Sequence, residues 1–440
     1  MARAKRTRSS SISTSANLGA TVDELRLAAL EQGDPLKTGR HLLTFKEGAT
    51  AAGVKALTRR RGLRMATTAD FTDHAVRFEE VADSDAFVFS EIGVALVSGA
   101  VAAEHDVAAA TFAAEEDAVH SVDPEYFMFA NAVNPSDYLR GFLRATQTIR
   151  ADLIDPAPLA EELLQPEAVG MTWGLTVCKV PPSAMSANGI RIAVLDTGFD
   201  LGHPDFAGRA ITSHTFVGQP VQDLHGHGTH TAGTACGPKA PAGAIQRYGI
   251  GYQSAMFIGK VLSNSGGGTQ AQVLAGMNWA IVNKCAVISL SLGAPIPVQP
   301  SYTAAGTAAL NAGCLIIAAA GNDSSRPAMI KPAGAPANSP TVVSVAAMDA
   351  SLQVAPFSNG GKVDIAAPGV NVFSSWPRPK LHNTISGTSM ATPHVTGCAA
   401  LWAQTSKSLR GAALRSKLLS SARRLSLPAS DVGAGLVQAP

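Results

Sequence analysis

From Gly189 onward, short apolar runs alternate with stretches of helical spacing. Residues 194–195, 255–262, 287–292, 315–320 and 342–347 are largely continuous in apolar character rather than alternating. That is the pattern of strands buried on both faces. Between them, residues 270–283 and 304–312 repeat at helical spacing. Strand and helix in turn predict an α/β fold, doubly wound around a mostly parallel sheet.

The first part of the chain has a different rhythm. Residues 41–46, 86–89 and 94–97 are strand-like, residues 51–61 have helical spacing stopped by Gly62, and residues 104–116 read as a second helix. Helices on one side of a small antiparallel sheet make a compact α+β unit over residues 38–130. Residues 1–37 read as a polar tail, expected to be disordered apart from a short helical stretch at 22–30. Residues 131–172 read as a helical linker or insert, with helical periodicity over 138–163 broken at Pro156 and Pro158.

Length and composition fit this division. At 440 residues, more than one folded unit is expected, and 46% hydrophobic against 15% charged residues suits well-filled cores. A net charge of +2 gives no dominant attraction to nucleic acid or to an anionic membrane. No window reaches the roughly 18 apolar residues of a membrane span. The cysteines (Cys178, Cys236, Cys285, Cys314, Cys398) are scattered without C-x-x-C spacing, and those in apolar runs read as buried, inert thiols. Arg3, Lys5, Arg6 and Arg8 are followed by small polar residues instead of an apolar h-region, so the expectation is a cytoplasmic protein, or a secreted one if the true start lies upstream.

Three segments carry candidate chemistry. Gly387-Thr388-Ser389-Met390-Ala391-Thr392-Pro393-His394 sets a serine before an apolar helical run. At a helix N-terminus developing negative charge is stabilised, although such a serine is often only a cap. Ile192-Ala193-Val194-Leu195-Asp196-Thr197-Gly198 is a short strand ending in an aspartate. His225-Gly226-His227-Gly228-Thr229-His230 sets histidines among glycines. In this order and context the three segments resemble those of subtilisin-like serine peptidases. The likeness runs in order from about Trp173 to the C-terminus, through Val287 to Gly293, Ile316 to Asn322, Asp364 to Val370 and Gly433 to Val437.

The resemblance implies a serine endopeptidase with Ser389 as nucleophile, His227 as base and Asp196 orienting it, acting through an acyl-enzyme intermediate. Asn322 would donate to the oxyanion. Ser291, Leu292, Gly293 and Gly266, Gly267, Gly268 would be the two edges that pair with substrate, and Ala319, Ala320, Gly321 the primary pocket wall. No acidic residue is expected in that pocket, so apolar side chains should be preferred before the cut. His225 and His230 read as structural, and Asp200 is rejected as the orienting acid. Residues 38–130, ending in Ala118 to Glu125, resemble an inhibitor-type propeptide whose tail runs extended towards Ala130, which implies a self-inhibited precursor. Asp205 matches a family calcium ligand, but residues 237–249 offer no Asp, Asn or Glu, so no metal or other cofactor is assigned. The expected partners are a protein or peptide substrate and the chain's own propeptide. A protease trimming one dedicated partner and an inactive binding module are the competing readings.

Overall fold

The computed structural model describes residues 16–105, 107, 117–130, 170–243 and 245–440. In the first unit the order is α1 (Val22–Glu31), β1 (Lys37–Phe45), α2 (Thr50–Arg61), β2 (Met65–Thr67), β3 (Ala86–Phe89), β4 (Val94–Val97), α3 (Gly99–Glu104) and β5 (Val119–Phe129). Gly62 ends α2 in the left-handed region at φ +69, a conformation that glycine takes without steric cost. The strands β3, β4, β1 and β5 pair antiparallel, but β2 joins β3 in parallel, so the small sheet is mixed rather than antiparallel throughout.

Two boundaries differ from expectation. The folded unit begins before residue 38: α1 carries a capping box between Thr21 and Glu24 and buries Val22, Leu25 and Ala29. Its amphipathic face was too short to predict a packed element. The helix expected at 104–116 is not seen where described, since α3 ends at Glu104 and most of that range lies outside the described residues. Residues 1–15 and 131–169, with the helix expected at 138–163, also lie outside them.

The second unit follows as α4 (Trp173–Val177), β6 (Arg191–Asp196), β7 (Ile211–Thr215), α5 (His227–Cys236), β8 (Ala255–Lys260), β9 (Gly267–Thr269), α6 (Gln270–Val282), β10 (Val287–Leu290), α7 (Pro300–Asn311), β11 (Leu315–Ala319), β12 (Val343–Met348), β13 (Ile365–Pro368), β14 (Val372–Ser375), β15 (His382–Ile385), α8 (Thr388–Thr405), α9 (Gly411–Ser420) and α10 (Ala429–Val432). Seven strands form a parallel sheet in the order β13-β12-β11-β10-β6-β8-β7.

The continuous apolar runs now have their cause. Ile192 and Val194 face one core, with Val287, Ile317 and α8, while Ala193 and Leu195 face another, with Ile288, Leu290 and α6. A core on each face leaves no polar side to alternate with. The carboxyl ends of β6 and β11 then open on one edge, where ligand sites of such sheets form.

β5 ties the two units together. Its N-terminal part pairs with β1, and its C-terminal part pairs with β9, so the small sheet ends on a strand of the second unit. Glu125 is fully buried at this seam. Its carboxylate takes Arg40 and Thr38 from its own unit and the Ala271 N–H at the start of α6, at 2.9 Å.

Candidate active site

Asp196 closes β6 and His227 opens α5, which the chain enters through Gly226 at φ +98. Nδ1 of His227 lies 2.7 Å from Oδ1 of Asp196, and both side chains are buried. The second carboxylate oxygen accepts from Thr231 Oγ1 at 3.2 Å. Burial alone would lower the His227 pKa, but the charge and hydrogen bond of Asp196 outweigh it and hold the imidazole above its usual value.

A second acid, unmarked in the sequence reading, fixes this turn. Asp223 is buried and accepts from the N–H groups of His225, Gly226 and Thr229 and from the hydroxyls of Thr197 and Thr229, at 2.8–3.0 Å. An acid just before a helix, followed by Gly and Thr, was the available signal, since a carboxylate satisfies the orphan N–H groups of a helix start. Lys260, opposite Asp196 in the β6–β8 pairing, donates to Thr197 O and, at 2.8 Å, to Asn264 Oδ1. Burial drives its pKa down to about 8.

Ser389 is the second residue of α8. Its Oγ donates to Ala130 O at 3.1 Å and to Ser291 O at 3.2 Å. Among the described residues the Nε2 of His227 is buried without a partner. The hydroxyl is thus turned onto the chain's own tail and not onto the imidazole. Asn322 follows β11. Its Oδ1 accepts from Thr388 N and Oγ1, both at 2.9 Å, which leaves Nδ2 as the donor end.

Both expected substrate edges hold the tail of β5. Phe127, Met128 and Phe129 stand opposite Thr269, Gly268 and Gly267, and the Ala130 N–H donates to Gly266 O at 2.9 Å. On the other side Phe129 and Gly293 exchange both backbone bonds, at 3.0 and 3.1 Å. At Gly268 a Cβ would lie 2.4 Å from Val261 O, so only glycine fits where the two strands meet. Ser291 serves differently, donating its Oγ to Ser389 O at 2.7 Å.

Ala319, Ala320 and Gly321 line one small pocket together with Ala130, Leu292, Gly293, Asn322 and Ser389, and Asp323 lines it too. The expectation of a pocket without an acid is therefore corrected. Asp323 follows Asn322 directly and its side chain returns to the wall, where Asn359 Nδ2 holds it at 2.9 Å. Burial pushes its pKa up.

The remaining candidates sort by their partners. His230 is buried against Val372 O, and burial pushes its pKa down to about 3. His225 lies on Gly266 with Nδ1 unpartnered among the described residues, its ring 6.1 Å from that of His227. Asp200 is bound by Arg378 through the guanidinium and the backbone N–H. Burial would raise its pKa, but these bonds bring it to about 2. At Asp205 three donors converge: Tyr248 OH at 2.5 Å, His382 Nε2 at 2.9 Å and the Ala242 N–H at 2.7 Å. A hard cation needs oxygen acceptors there, so this set does not fit calcium. All five cysteines are buried and free.

A buried Asp–His pair and a serine at a helix N-terminus, on a parallel α/β sheet, are residue types a serine hydrolase uses. The model of the Subtilase family matches residues 187–436, and the chain belongs to that family. It is similar to subtilisin of Bacillus pumilus, 34% identical over 266 residues, covering 59% of this chain and 94% of that one. It is also similar to Subtilisin Savinase of Lederbergia lenta, 36% identical over 278 residues, covering 62% and 98%. With Subtilisin E of Bacillus subtilis the identity is 34% over 266 residues, covering 59% and 68%. The chain is thus a subtilisin-type serine endopeptidase, a hydrolase of peptide substrates.

Proposed function

We propose that the chain is a self-inhibited precursor whose triad is Ser389, His227 and Asp196. His227 Nε2 takes the Ser389 proton as Oγ attacks the scissile carbonyl carbon. Asn322 Nδ2 and the Ser389 N–H hold the oxyanion that forms. His227 then returns the proton to the leaving amine, and water attacks the acyl-enzyme by the same route. Asp196 keeps the imidazole in the right tautomer and stabilises its charged form without itself taking the proton.

The observation that supports the inhibited state best is the tail. Its strand is paired on both edges and its Ala130 carbonyl receives Ser389 Oγ at 3.1 Å. Strand addition of this kind is how an extended peptide is recognised. Small pocket walls at Ala319, Ala320 and Gly321 favour apolar side chains before the cut, with Asp323 as an acid able to admit a cation. A library of peptides tests this: cleavage after apolar residues supports it, and dominant cleavage after Lys or Arg assigns the pocket to Asp323. Purified Ser389→Ala protein should remain full length, while wild type should shed residues preceding the second unit.

A further inference from the structure

The tail alternates as an extended strand must. Met128 and Ala130 turn inward and share a core with Leu262 and Leu292 of the second unit. Phe127 and Phe129 turn the other way, yet they are only 1% and 3% exposed. Their cover is α1: Val22, Leu25 and Ala29 form a separate apolar cluster with the two rings. The Arg26 guanidinium stands 5.6 Å from the centre of the Phe129 ring. The same helix reaches the substrate edge, since a Cβ on Gly267 would lie 3.4 Å from the Arg26 guanidinium and 3.9 Å from Val22.

The helix is itself held down. Leu18, just before it, is fully buried, and Arg40 donates to Asn17 O and Leu18 O at 3.4 and 3.3 Å. After it, Leu36 O accepts the Phe127 N–H at 3.0 Å. On the far face Leu27 and Leu30 are 64% and 45% exposed, so α1 has one packed side, which lies on β1 and β9 and covers the two tail rings.

We propose that α1 is a clamp which closes over the tail in the cleft and makes it a tighter occupant than any substrate peptide. A substrate is gripped from the enzyme side alone. The chain's own tail is gripped from both sides, so release of α1 must precede or accompany release of the tail. This rests on reading the tail as the inhibitor of Ser389.

The test is amide hydrogen exchange on the full-length Ser389→Ala protein, which cannot cut itself, with Leu25→Ala and Leu25→Glu added and Leu27→Glu as the exposed control. With the clamp weakened, the Phe127, Phe129 and Ala130 amides should exchange faster, by about tenfold or more. The β3, β4 and β10 amides should keep wild-type protection, and Leu27→Glu should change nothing. Equal tail protection with and without Leu25 overturns the clamp, as does a loss of protection that spreads over β3 and β4. The same substitutions with Ser389 intact separate the two readings. If the tail opens in Leu25→Glu but hydrolysis of a peptide substrate by the precursor does not rise, the clamp stands and the inhibitor reading fails.

Discussion

At the scale of single residues, the proposed mechanism requires His227 to be neutral yet ready to take a proton. Because Asp196 raises its pKa, activity should fall as pH drops through a value above the usual 6.5 of histidine. Asp196→Asn removes the raising charge and leaves burial, which lowers the pKa, so the acid limb of kcat/KM should move to lower pH while kcat falls steeply. An unmoved limb in that variant would assign it to another group. Ser389→Ala or His227→Ala should each remove turnover by several orders of magnitude, with the thermal midpoint nearly unchanged. Asn322→Ala should lower kcat about 10²-fold or more with little change in KM, a magnitude that comes from subtilisin itself. Steady-state kinetics with one chromogenic peptide reads both.

The elements add what no single residue supplies. β5 belongs to one unit along its first half and to the other along its second, and Glu125 sits at the change. Its carboxylate joins Arg40 to the start of α6, where an acid also meets the positive end of the helix dipole. Glu125→Ala leaves a buried guanidinium unpaired and should cost the precursor about 3–5 kcal/mol. Urea midpoints read this, and Glu125→Gln, which keeps the shape and one acceptor, should fall in between. A midpoint equal to wild type would mean that water replaces the carboxylate and the seam is loose.

For the whole molecule, the two-sided pairing of the tail fixes where maturation should cut. Phe129 stands opposite Gly293, and an antiparallel ladder advances by two residues on each strand. At the end of the described tail, Ala130 O and Ser291 O lie 3.1 and 3.2 Å from Ser389 Oγ. The first cut should therefore fall close after Ala130, and N-terminal sequencing of freshly activated protein should read a new amino terminus there. A first cut far from there would separate the inhibitory tail from the maturation site. The clamp predicts in addition that this cut is followed by slow release, because α1 still covers Phe127 and Phe129.

The sequence by itself determined the parallel sheet, because strands with a core on each face must be apolar throughout, and that needs no knowledge of the partner. It also marked Asp196, His227, Ser389 and Asn322, since the short segments around them fix local turns, a strand end and helix starts. What it left out depended on groups distant in the chain. Asp223 and Lys260 matter through the Thr197 turn, Asp323 through a side chain returning to the pocket, and Asp205 through donors from 242, 248 and 382. The helix at 22–31 reads as part of a polar tail because its few apolar residues are buried only against β1, β9 and the rings of Phe127 and Phe129, which are distant in the chain. Burial is a property of two surfaces meeting, and a one-dimensional pattern shows only one of them.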